Sequence, residues 1–297
     1  MEETNMEFVT IKNDLIKVEI SLLGAKFHTI TDLRDNEQLV FEGSEGAWSK
    51  RDLVLFPFAC RRVDGWYAVD GKRYEMPIHG FAKLNVFKID EQSADSVTLL
   101  LCSNDETRAM YPYDFEFRIR YSIIGNKVKL DYFVKNTSDK KMYFSLGGHL
   151  AFKLDGQINA DGTEDTKGNF IEFSTPIKKW YPLNGAFVLP EEEWTGGQRF
   201  EVDKKFLIDH GTTPIFTTKG GAKYFLERKN GRKIAFETKS SVVAFWSDNE
   251  YGQYVCVEPW WGVPDDYDVK REISQKTLME SVEVGETYTT DYIIEII

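Results

Sequence analysis

The sequence predicts an all-β fold, a sandwich or barrel built from many short antiparallel strands. Residues 115–123 and 127–134 both alternate apolar and polar side chains, which is the period of a strand with one buried face. The Gly125-Asn126 pair between them predicts a tight hairpin turn. Helical periodicity is scarce, and only residues 105–111 indicate a short helix. Many short strands separated by Gly, Asn and Asp are typical of β-sandwiches and barrels rather than of βαβ folds.

Further strands follow from the same kind of pattern along the rest of the chain. They are expected at residues 15–20, 96–101, 223–227, 233–237, 242–246, 254–257 and 288–297. Asn230-Gly231 separates two of these runs and predicts a second hairpin. Residues 155–168, rich in Gly, Asp and Thr, are the nearest approach to a flexible insert, and no low-complexity linker divides the chain. We therefore expect one domain over residues 1–297, and the lack of a fixed-period repeat disfavours a propeller.

Composition excludes several classes of partner. Acidic residues number 48 against 37 basic ones, a formal net charge of −11, and the basic residues form no block, so no nucleic acid partner is expected. The cysteines Cys60, Cys102 and Cys256 are widely spaced, which predicts neither a disulfide framework nor a structural zinc site. Residues 1–5 lack the pattern of a secretory signal, and no run is long enough for a membrane span. The expected location is the cytoplasm.

The segment 255–266 carries the most informative carboxylate of the chain. An apolar run is followed by Glu258, Pro259 and the indoles of Trp260 and Trp261. Because proline cannot donate to a sheet ladder, the strand is expected to end at Glu258, where the side chain can point into a cleft. Indoles are large, flat and polar at one edge, which suits them to contact with a sugar ring.

Two of the four histidines lie in contexts that favour a functional role. His149 follows Gly147 and Gly148, and glycines allow a backbone to approach another group closely. His79 precedes Gly80 in a turn-like segment. A glutamate and a histidine on separate strands are suited to general acid–base chemistry on a small polar substrate.

An arginine pair, Arg61 and Arg62, follows the apolar run 53–60. Arginine donates in a bidentate manner to vicinal hydroxyls, carboxylates and phosphates. One of the two is expected to be a solvated surface charge, and we assign that place to Arg62 and the binding role to Arg61.

Short segments in colinear order carry a family resemblance across almost the whole chain. They are Leu23-Gly24-Ala25, Phe56-Pro57, Arg61, Asp64-Gly65, Asp70-Gly71-Lys72 with Tyr74, Pro77-Ile78-His79-Gly80-Phe81, Tyr111-Pro112, Gly147-Gly148-His149 with Phe152, and Glu258-Pro259-Trp260-Trp261-Gly262. In these segments the chain resembles the aldose 1-epimerase (galactose mutarotase) family, and within it the LacX-like branch. Leu150 stands where that family usually has proline, and Cys60 where it has a small residue.

The resemblance implies a single large twisted antiparallel β-sandwich, a supersandwich whose concave face binds a free sugar. It implies Glu258 as the catalytic base and His149 as the catalytic acid. It also implies substrate-binding roles for Arg61, His79 and Asp209. Together with the indoles beside the base, the expected substrate contacts are Arg61, His79, Asp209, Trp260 and Trp261.

Interconversion of α and β anomers removes a proton from the anomeric hydroxyl and gives one to the ring oxygen, after which the opened sugar rotates and closes. A carboxylate of suitable pKa and an imidazolium near neutral pH can do both, so no metal, cofactor or covalent intermediate is expected. The expected activity is therefore that of an aldose 1-epimerase on a free aldohexose such as galactose or glucose. The expected partner is this small-molecule sugar, bound by a monomer or homodimer.

Three alternatives stay open at this point. An epimerase of the same fold that acts on hexose 6-phosphates would need a basic cluster at the pocket rim, for which Arg61 and Arg62 are a hint. A non-catalytic sugar-binding module would keep the indoles without needing both Glu258 and His149. A glycoside hydrolase usually needs two carboxylates across the scissile bond, whereas the pair here is a glutamate with a histidine.

Overall fold

The computed structural model of the chain describes residues 7–43, 48, 50–158, 164–165, 167–247 and 253–297. The expectation about a secretory signal concerns residues 1–5, which lie outside this part. Within the expected flexible insert, residues 159–163 and 166 also lie outside it.

The strands of the first half of the chain are β1 (Phe8–Lys12), β2 (Ile16–Ser21), β3 (Lys26–Asp32), β4 (Glu37–Gln38), β5 (Val54–Leu55), β6 (Trp66–Val69), β7 (Lys72–Glu75), β8 (Lys88–Gln92), β9 (Ser96–Cys102), β10 (Phe115–Ile124), β11 (Lys127–Asn136), β12 (Met142–Phe144), β13 (Leu146–Gly148) and β14 (Leu150–Lys153). Those that follow are β15 (Gln157–Ile158), β16 (Glu164–Asp165), β17 (Phe170–Phe173), β18 (Lys179–Tyr181), β19 (Leu183–Asn184), β20 (Phe187–Val188), β21 (Glu192–Glu193), β22 (Arg199–Glu201), β23 (Ile215–Thr217), β24 (Ala222–Glu227), β25 (Lys233–Thr238), β26 (Val242–Trp246), β27 (Tyr254–Trp261), β28 (Glu280–Val282) and β29 (Thr287–Ile296). The α-helices are α1 (Asp105–Met110) and α2 (Lys204–Asp209), and 3₁₀ turns lie at Val63–Gly65, Ala82–Leu84 and Ile273–Gln275.

The strands pair into two large sheets and several smaller ones. The nine-stranded sheet has the order β22-β17-β24-β25-β29-β11-β10-β9-β8. The eight-stranded sheet has the order β21-β18-β23-β26-β27-β13-β5, and β14 also pairs with β27. The long central pairs β10–β11, β11–β29 and β26–β27 are antiparallel. The predicted all-β architecture of antiparallel sheets is confirmed.

The two hairpins predicted from turn residues are both present. Residues Ile124 and Lys127 face each other at the end of the β10–β11 ladder, so Gly125 and Asn126 form a two-residue loop. Gly231, with a φ of 88°, lies in the turn between β24 and β25. The predicted short helix is α1, whereas α2 was not predicted. No helix in the described part of the chain is both long and apolar enough to cross a membrane.

The principal core is apolar and draws residues from both large sheets. It contains Phe117 and Ile119 from β10, and Phe245 and Val257 from β26 and β27. The opposite face of the eight-stranded sheet carries two smaller buried clusters. One cluster consists of Leu53, Leu55, Ala59, Val188, Ile215, Val242, Ala244, Trp260 and Val263. The other consists of Phe41, Ala151, Tyr254 and Cys256. The sheet is therefore covered by side chains on both faces, and the second face holds the candidate site.

Candidate active site

Strand β27 presents two different faces, because successive side chains of a strand point to opposite sides. Val257 and Trp261 belong to the principal core. Cys256 and Trp260 belong to the two smaller clusters on the other face. Glu258 alternates with them and is only 1% exposed. Its carboxylate therefore points away from the principal core.

The expectation that the strand ends at Glu258 is wrong, since β27 continues through Pro259 to Trp261. Ser241 donates its backbone N–H to the carbonyl of Trp260 at 3.0 Å, on the β26 side. Because adjacent residues of a strand bond to opposite neighbours, the nitrogen of Pro259 faces the other side. There the neighbouring chain is itself interrupted between β13 and β14. The missing N–H of proline is accommodated at this gap.

His149 is the residue in the gap between β13 and β14. Both strands pair with β27 in one register, which places His149 opposite Glu258. Nε2 of His149 lies 3.4 Å from Oε2 of Glu258. A Cβ on Gly147 would meet Cδ1 of Trp260 at 2.6 Å and the carbonyl oxygen of Pro259 at 2.8 Å, so this glycine allows the two strands to approach. The structure thus brings together the two groups that the sequence singled out.

Aromatic rings surround the imidazole of His149. The indole of Trp48 stacks on it with a centroid distance of 4.8 Å and an angle of 29°. The rings of His79 and Trp246 meet it edge-on, at 5.2 Å and 5.7 Å. Burial lowers the pKa of His149 to about 3, and the ammonium of Lys83 adds to this. In the unliganded site the imidazole is therefore neutral at pH 7.

The carboxyl group of Glu258 is buried without hydrogen bonds. Within the described residues, neither Oε1 nor Oε2 has a hydrogen-bond partner. Burial raises the pKa of Glu258 well above its ordinary value. The nearby indole N–H of Trp260 opposes this rise without reaching hydrogen-bond geometry, and Asp52 adds to it. The low polarity of the site therefore favours the neutral form of both Glu258 and His149.

The loop that carries His79 holds its ring by backbone contacts. The N–H of Cys60 donates to Nδ1 of His79 at 3.2 Å, and the N–H of His79 donates to the carbonyl of Cys60 at 2.9 Å. His79 has a φ of 64° and Gly80 a φ of 71°, and a Cβ on Gly80 would collide with the carbonyl of Phe56. Burial lowers the pKa of His79 well below its usual value, with His149 adding to the effect. The neutral ring thus keeps its proton on Nε2, which is a donor.

The arginine pair is arranged oppositely to the expectation, so the assignment of Arg62 to the surface is wrong. Arg62 is buried, forms an ion pair with Asp265 and donates to the carbonyl of Ala59. Arg61 is exposed. It lies near enough to His79 to contribute to the lowered pKa of that ring. The neighbouring carboxylate of Asp265, which is distant in sequence, decides which arginine turns inward.

Two of the other expected substrate contacts lie in the principal core and at the protein surface. Trp261 is 2% exposed and packs its ring edge-on against Tyr132 at 5.8 Å, on the core side of β27. Asp209 ends α2 with its side chain 49% exposed and paired with Lys205. Within the described residues it makes no hydrogen bond or ion pair with the other expected site residues. Trp260 shares the face of Glu258 but is buried, so it does not offer an open ring face.

The structure adds residues that the sequence did not single out. Trp48 and Trp246 are half-buried rings beside His149. Cys256 lies on the same face as Glu258, two positions earlier on β27. Strand alternation around Glu258 was the one signal that could have identified Cys256. No local signal marks the two tryptophans, because their elements pack beside His149 only in the folded chain.

Asp52 is a further unexpected carboxylate, buried behind the site just before β5. The N–H of Phe27 donates to its Oδ2 at 2.9 Å. Burial raises the pKa of Asp52 to about 6, although the backbone N–H groups of Phe27, Leu53 and His149 oppose the rise. Asp52 is thus a second buried acid near the backbone of His149.

Comparisons with known proteins agree with this architecture. The chain matches the family model described as Aldose 1-epimerase over residues 7–295. It is 23% identical over 299 residues to the chromosomal protein LacX of Lactococcus lactis subsp. lactis, which covers 97% of this chain and 99% of that protein. A galactose mutarotase related enzyme from Lactobacillus acidophilus superposes with a TM-score of 0.90 at 26% identity, over 98% of this chain and 97% of that one.

A galactose mutarotase-like protein from Lactobacillus casei has the same fold, with a TM-score of 0.91 at 23% identity, over 98% of this chain and all (100%) of that one. The agreement with these structures confirms the predicted fold class. The family match spans nearly the whole chain and includes both β13–β14 and β27, which carry the facing histidine and glutamate. The chain therefore belongs to the aldose 1-epimerase family.

Proposed function

We propose that this protein is an aldose 1-epimerase that interconverts the α and β anomers of a free aldohexose such as galactose or glucose. The observation that carries the proposal is the buried contact of His149 Nε2 with Glu258 Oε2 at 3.4 Å. Two groups that can exchange protons face each other there, and the carboxyl oxygens have no hydrogen-bond partner among the described residues. A sugar that presents its anomeric hydroxyl and its ring oxygen to this pair would satisfy both groups.

The proton count of this pair suits ring opening. Burial favours the neutral form of both groups, in which the carboxyl of Glu258 and one ring nitrogen of His149 each carry a proton. A neutral Glu258–His149 pair and a carboxylate–imidazolium pair hold the same number of protons, so transfer between the two groups costs no exchange with solvent. With the sugar bound, the proton of Glu258 passes to His149. The carboxylate of Glu258 then accepts the proton of the anomeric hydroxyl, and the imidazolium of His149 donates its proton to the ring oxygen. Ring closure uses the same groups in reverse.

Other side chains around the pair are suited to holding the sugar. The Nε2–H of His79 is a donor held by backbone contacts, and Arg61 is an exposed bidentate donor near it. The half-buried rings of Trp48 and Trp246 take the stacking role that the sequence had assigned to Trp260 and Trp261. Orientation of this kind contributes to rate without any change in the reacting groups.

A second candidate function, epimerisation of a hexose 6-phosphate, is favoured by one observation. Arg61 and Lys83 both contribute to the lowered pKa of His79, and Lys50 contributes to the lowered pKa of Lys83, so the three cations lie close to the site. In the part of the chain that the structure describes, none of the three forms an ion pair. Cations without a carboxylate partner could bind a phosphate.

Anomer exchange measured by NMR on galactose, glucose and their 6-phosphates tests both candidates. We expect a free aldohexose to give the highest kcat/KM. A preference of tenfold or more for a phosphate ester, about 1.4 kcal/mol, would establish the second candidate. In that case Lys83→Gln should reduce kcat/KM for the phosphate ester alone, with Lys72→Gln on the exposed strand β7 as the matched control. Sugar binding without faster exchange would instead indicate a non-catalytic binding module.

The pH profile is a further expected outcome. An additional proton on His149 leaves the pair without a carboxylate to act as the base, so the acid limb of kcat/KM should lie near the lowered pKa of about 3 and not near the ordinary 6.5. The basic limb should lie above the ordinary pKa of a glutamate, because burial raises the pKa of Glu258. Circular dichroism at each pH separates the acid limb from unfolding. A limb between pH 6 and 7 that His149→Asn removes would contradict the neutral resting pair.

A further inference from the structure

Cys256 faces the same space as the acid–base pair. It lies on β27 two positions before Glu258, and its side chain points to the same side of the strand. One ligand atom each from His149, Cys256 and Glu258 lie within 4.8 Å of one another. All three side chains are buried. Nothing in the proposed epimerase reaction uses the thiol.

A nitrogen, a sulfur and a carboxylate oxygen in one cluster form a ligand set suited to Zn²⁺. Zinc takes four tetrahedral ligands, with bonds of about 2.0 Å to nitrogen and oxygen and about 2.3 Å to sulfur. Ligand atoms in such a site lie roughly 3.3–3.8 Å apart. The present spacing of at most 4.8 Å therefore requires only small side-chain rotations. A water molecule or a sugar hydroxyl can supply the fourth ligand.

The electrostatics of the cluster also suit a divalent cation. Both oxygens of Glu258 are buried and, within the described residues, have no hydrogen-bond partner. A thiolate and a carboxylate together carry two negative charges, so a complex with Zn²⁺ and a neutral imidazole has no net charge. Net neutrality matters because isolated charges are costly in a buried site.

Ordinary packing alone does not explain the cluster. Cys256 does pack with Phe41, Ala151 and Tyr254, as a buried cysteine commonly does. A carboxylate without partners beside it is not ordinary, because buried polar groups are nearly always hydrogen-bonded. A cation is one ligand that satisfies the carboxylate and the thiol together.

We propose that the protein binds one Zn²⁺ ion through His149, Cys256 and Glu258, and that the ion competes with the sugar. On binding, the thiol of Cys256 and the carboxyl of Glu258 each lose a proton to solvent, and bonds from zinc to sulfur and to oxygen form. Occupation of His149 and Glu258 by the metal removes both the acid and the base. Zinc thus acts as an inhibitor and not as a cofactor of the reaction.

Metal binding is measured directly on the purified full-length protein, without reference to activity. Titration with Co²⁺ should give a thiolate-to-cobalt charge-transfer absorption, which Zn²⁺ should abolish by displacement. Calorimetry should give one Zn²⁺ per chain. Cys256→Ser should lose the absorption band and weaken Zn²⁺ binding by about tenfold or more, or about 1.4 kcal/mol.

Two other cysteines serve as matched controls. Cys102→Ser removes an exposed cysteine of β9, and Cys60→Ser removes the half-buried one beside His79. Both should keep the cobalt band and the affinity of the wild type. Loss of the band in Cys60→Ser, or equal Zn²⁺ affinity in wild type and Cys256→Ser, would overturn the proposed ligand set. Absence of the band in the wild type would overturn the site itself.

Enzyme kinetics tests whether Zn²⁺ competes with the sugar. Zn²⁺ should raise the apparent KM of the wild type, and the effect should need about tenfold more metal in Cys256→Ser. Each variant is compared with its own rate in the presence of a chelator, so any change in basal turnover cancels. Zinc that binds with the expected band but leaves KM unchanged would overturn the competition. If the protein proves to be no epimerase, the cobalt and calorimetric results still decide the metal site.

Discussion

Two buried carboxyl groups, Glu258 in the candidate site and Asp265 near it, differ in how their oxygens are satisfied. Asp265 accepts hydrogen bonds from Arg62 and from Lys276 at its Oδ1, and from the backbone N–H of Val63 at its Oδ2. Glu258 has no hydrogen bond to either oxygen among the residues that the structure describes.

The difference indicates different roles. A buried carboxylate surrounded by donors stabilises the chain segments that supply them, and Asp265 joins the loop of Arg62 to the segment after β27. A buried carboxylate without donors is costly to keep. The chain belongs to the aldose 1-epimerase family, and His149 faces the carboxyl group of Glu258. A role in chemistry is therefore a reason to keep this costly group. Mutation of Asp265 should therefore lower the stability of the fold, and mutation of Glu258 should lower the activity.

The largest expected effect is on turnover, in Glu258→Gln. The amide has the same shape but cannot act as a base, so kcat/KM should fall by about 10²–10⁴-fold, the usual contribution of one acid–base group. Stability should not fall, because the substitution removes a buried acid that has no donors. NMR exchange and thermal unfolding measure the two quantities. Near-normal exchange in a folded variant would show that Glu258 is not the base.

The next effect is on stability, in Asp265→Asn. The substitution leaves the charges of Arg62 and Lys276 buried without a carboxylate, and breaking a buried ion pair costs about 3–5 kcal/mol. Urea unfolding followed by circular dichroism measures the free energy of unfolding. A loss of unfolding free energy below about 1 kcal/mol would mean that the ion pairs of Asp265 do not stabilise the fold more than exposed pairs do.

Asp52 gives an intermediate effect that depends on pH. Burial raises its folded pKa to about 6 from 3.8, so the folded state binds a proton more tightly than the unfolded one. This contribution to stability is present below 3.8 and is lost as the pH rises through about 6. Relative to Asp52→Asn, the wild type should lose about 2 kcal/mol of unfolding free energy between about pH 4 and pH 7. A pH-independent difference between the two proteins would place the carboxylate in contact with water.

The smallest effect is expected at Asp209, the exposed counterpart of Asp265. Its ion pair with Lys205 is open to solvent, and such pairs contribute little to stability. Asp209→Asn should therefore leave both the unfolding free energy and KM unchanged. A raised KM at unchanged stability would restore Asp209 as the substrate contact that the family resemblance implied.

Much of the fold could be predicted because strands and turns leave local patterns. The alternation in β10 and β11, with Gly125-Asn126 between them, predicted a hairpin, and the structure confirms it. The pattern failed at Pro259, which does not end β27. Proline is tolerated there because the adjoining chain is interrupted at His149, and a local pattern contains no information about a neighbouring strand. Whether the chain forms one domain stays a prediction.

The sequence predicted the two reacting groups of the candidate site, but it predicted the residues around them less well. Glu258 and His149 were identified from local composition and from the family resemblance, and the structure places them face to face. The expected surface position of Arg62 is wrong, and Trp261 lies on the side of β27 opposite to Glu258. Adjacent residues on a strand point to opposite sides, so Trp261 enters the principal core while Trp260 does not.

The sequence by itself determined where several of the strands form, where two tight turns lie and which glutamate and histidine are available for chemistry. Periodicity and turn residues act over a few positions, so these properties can be seen in the chain. Only the tertiary structure decided that His149 lies opposite Glu258, that Cys256 joins them, and that burial shifts the pKa values of the pair toward a neutral state. The register of β27 against β13 and β14, and the rings of Trp48 and Trp246, bring distant residues together and exclude water. These two effects exist only in the folded chain.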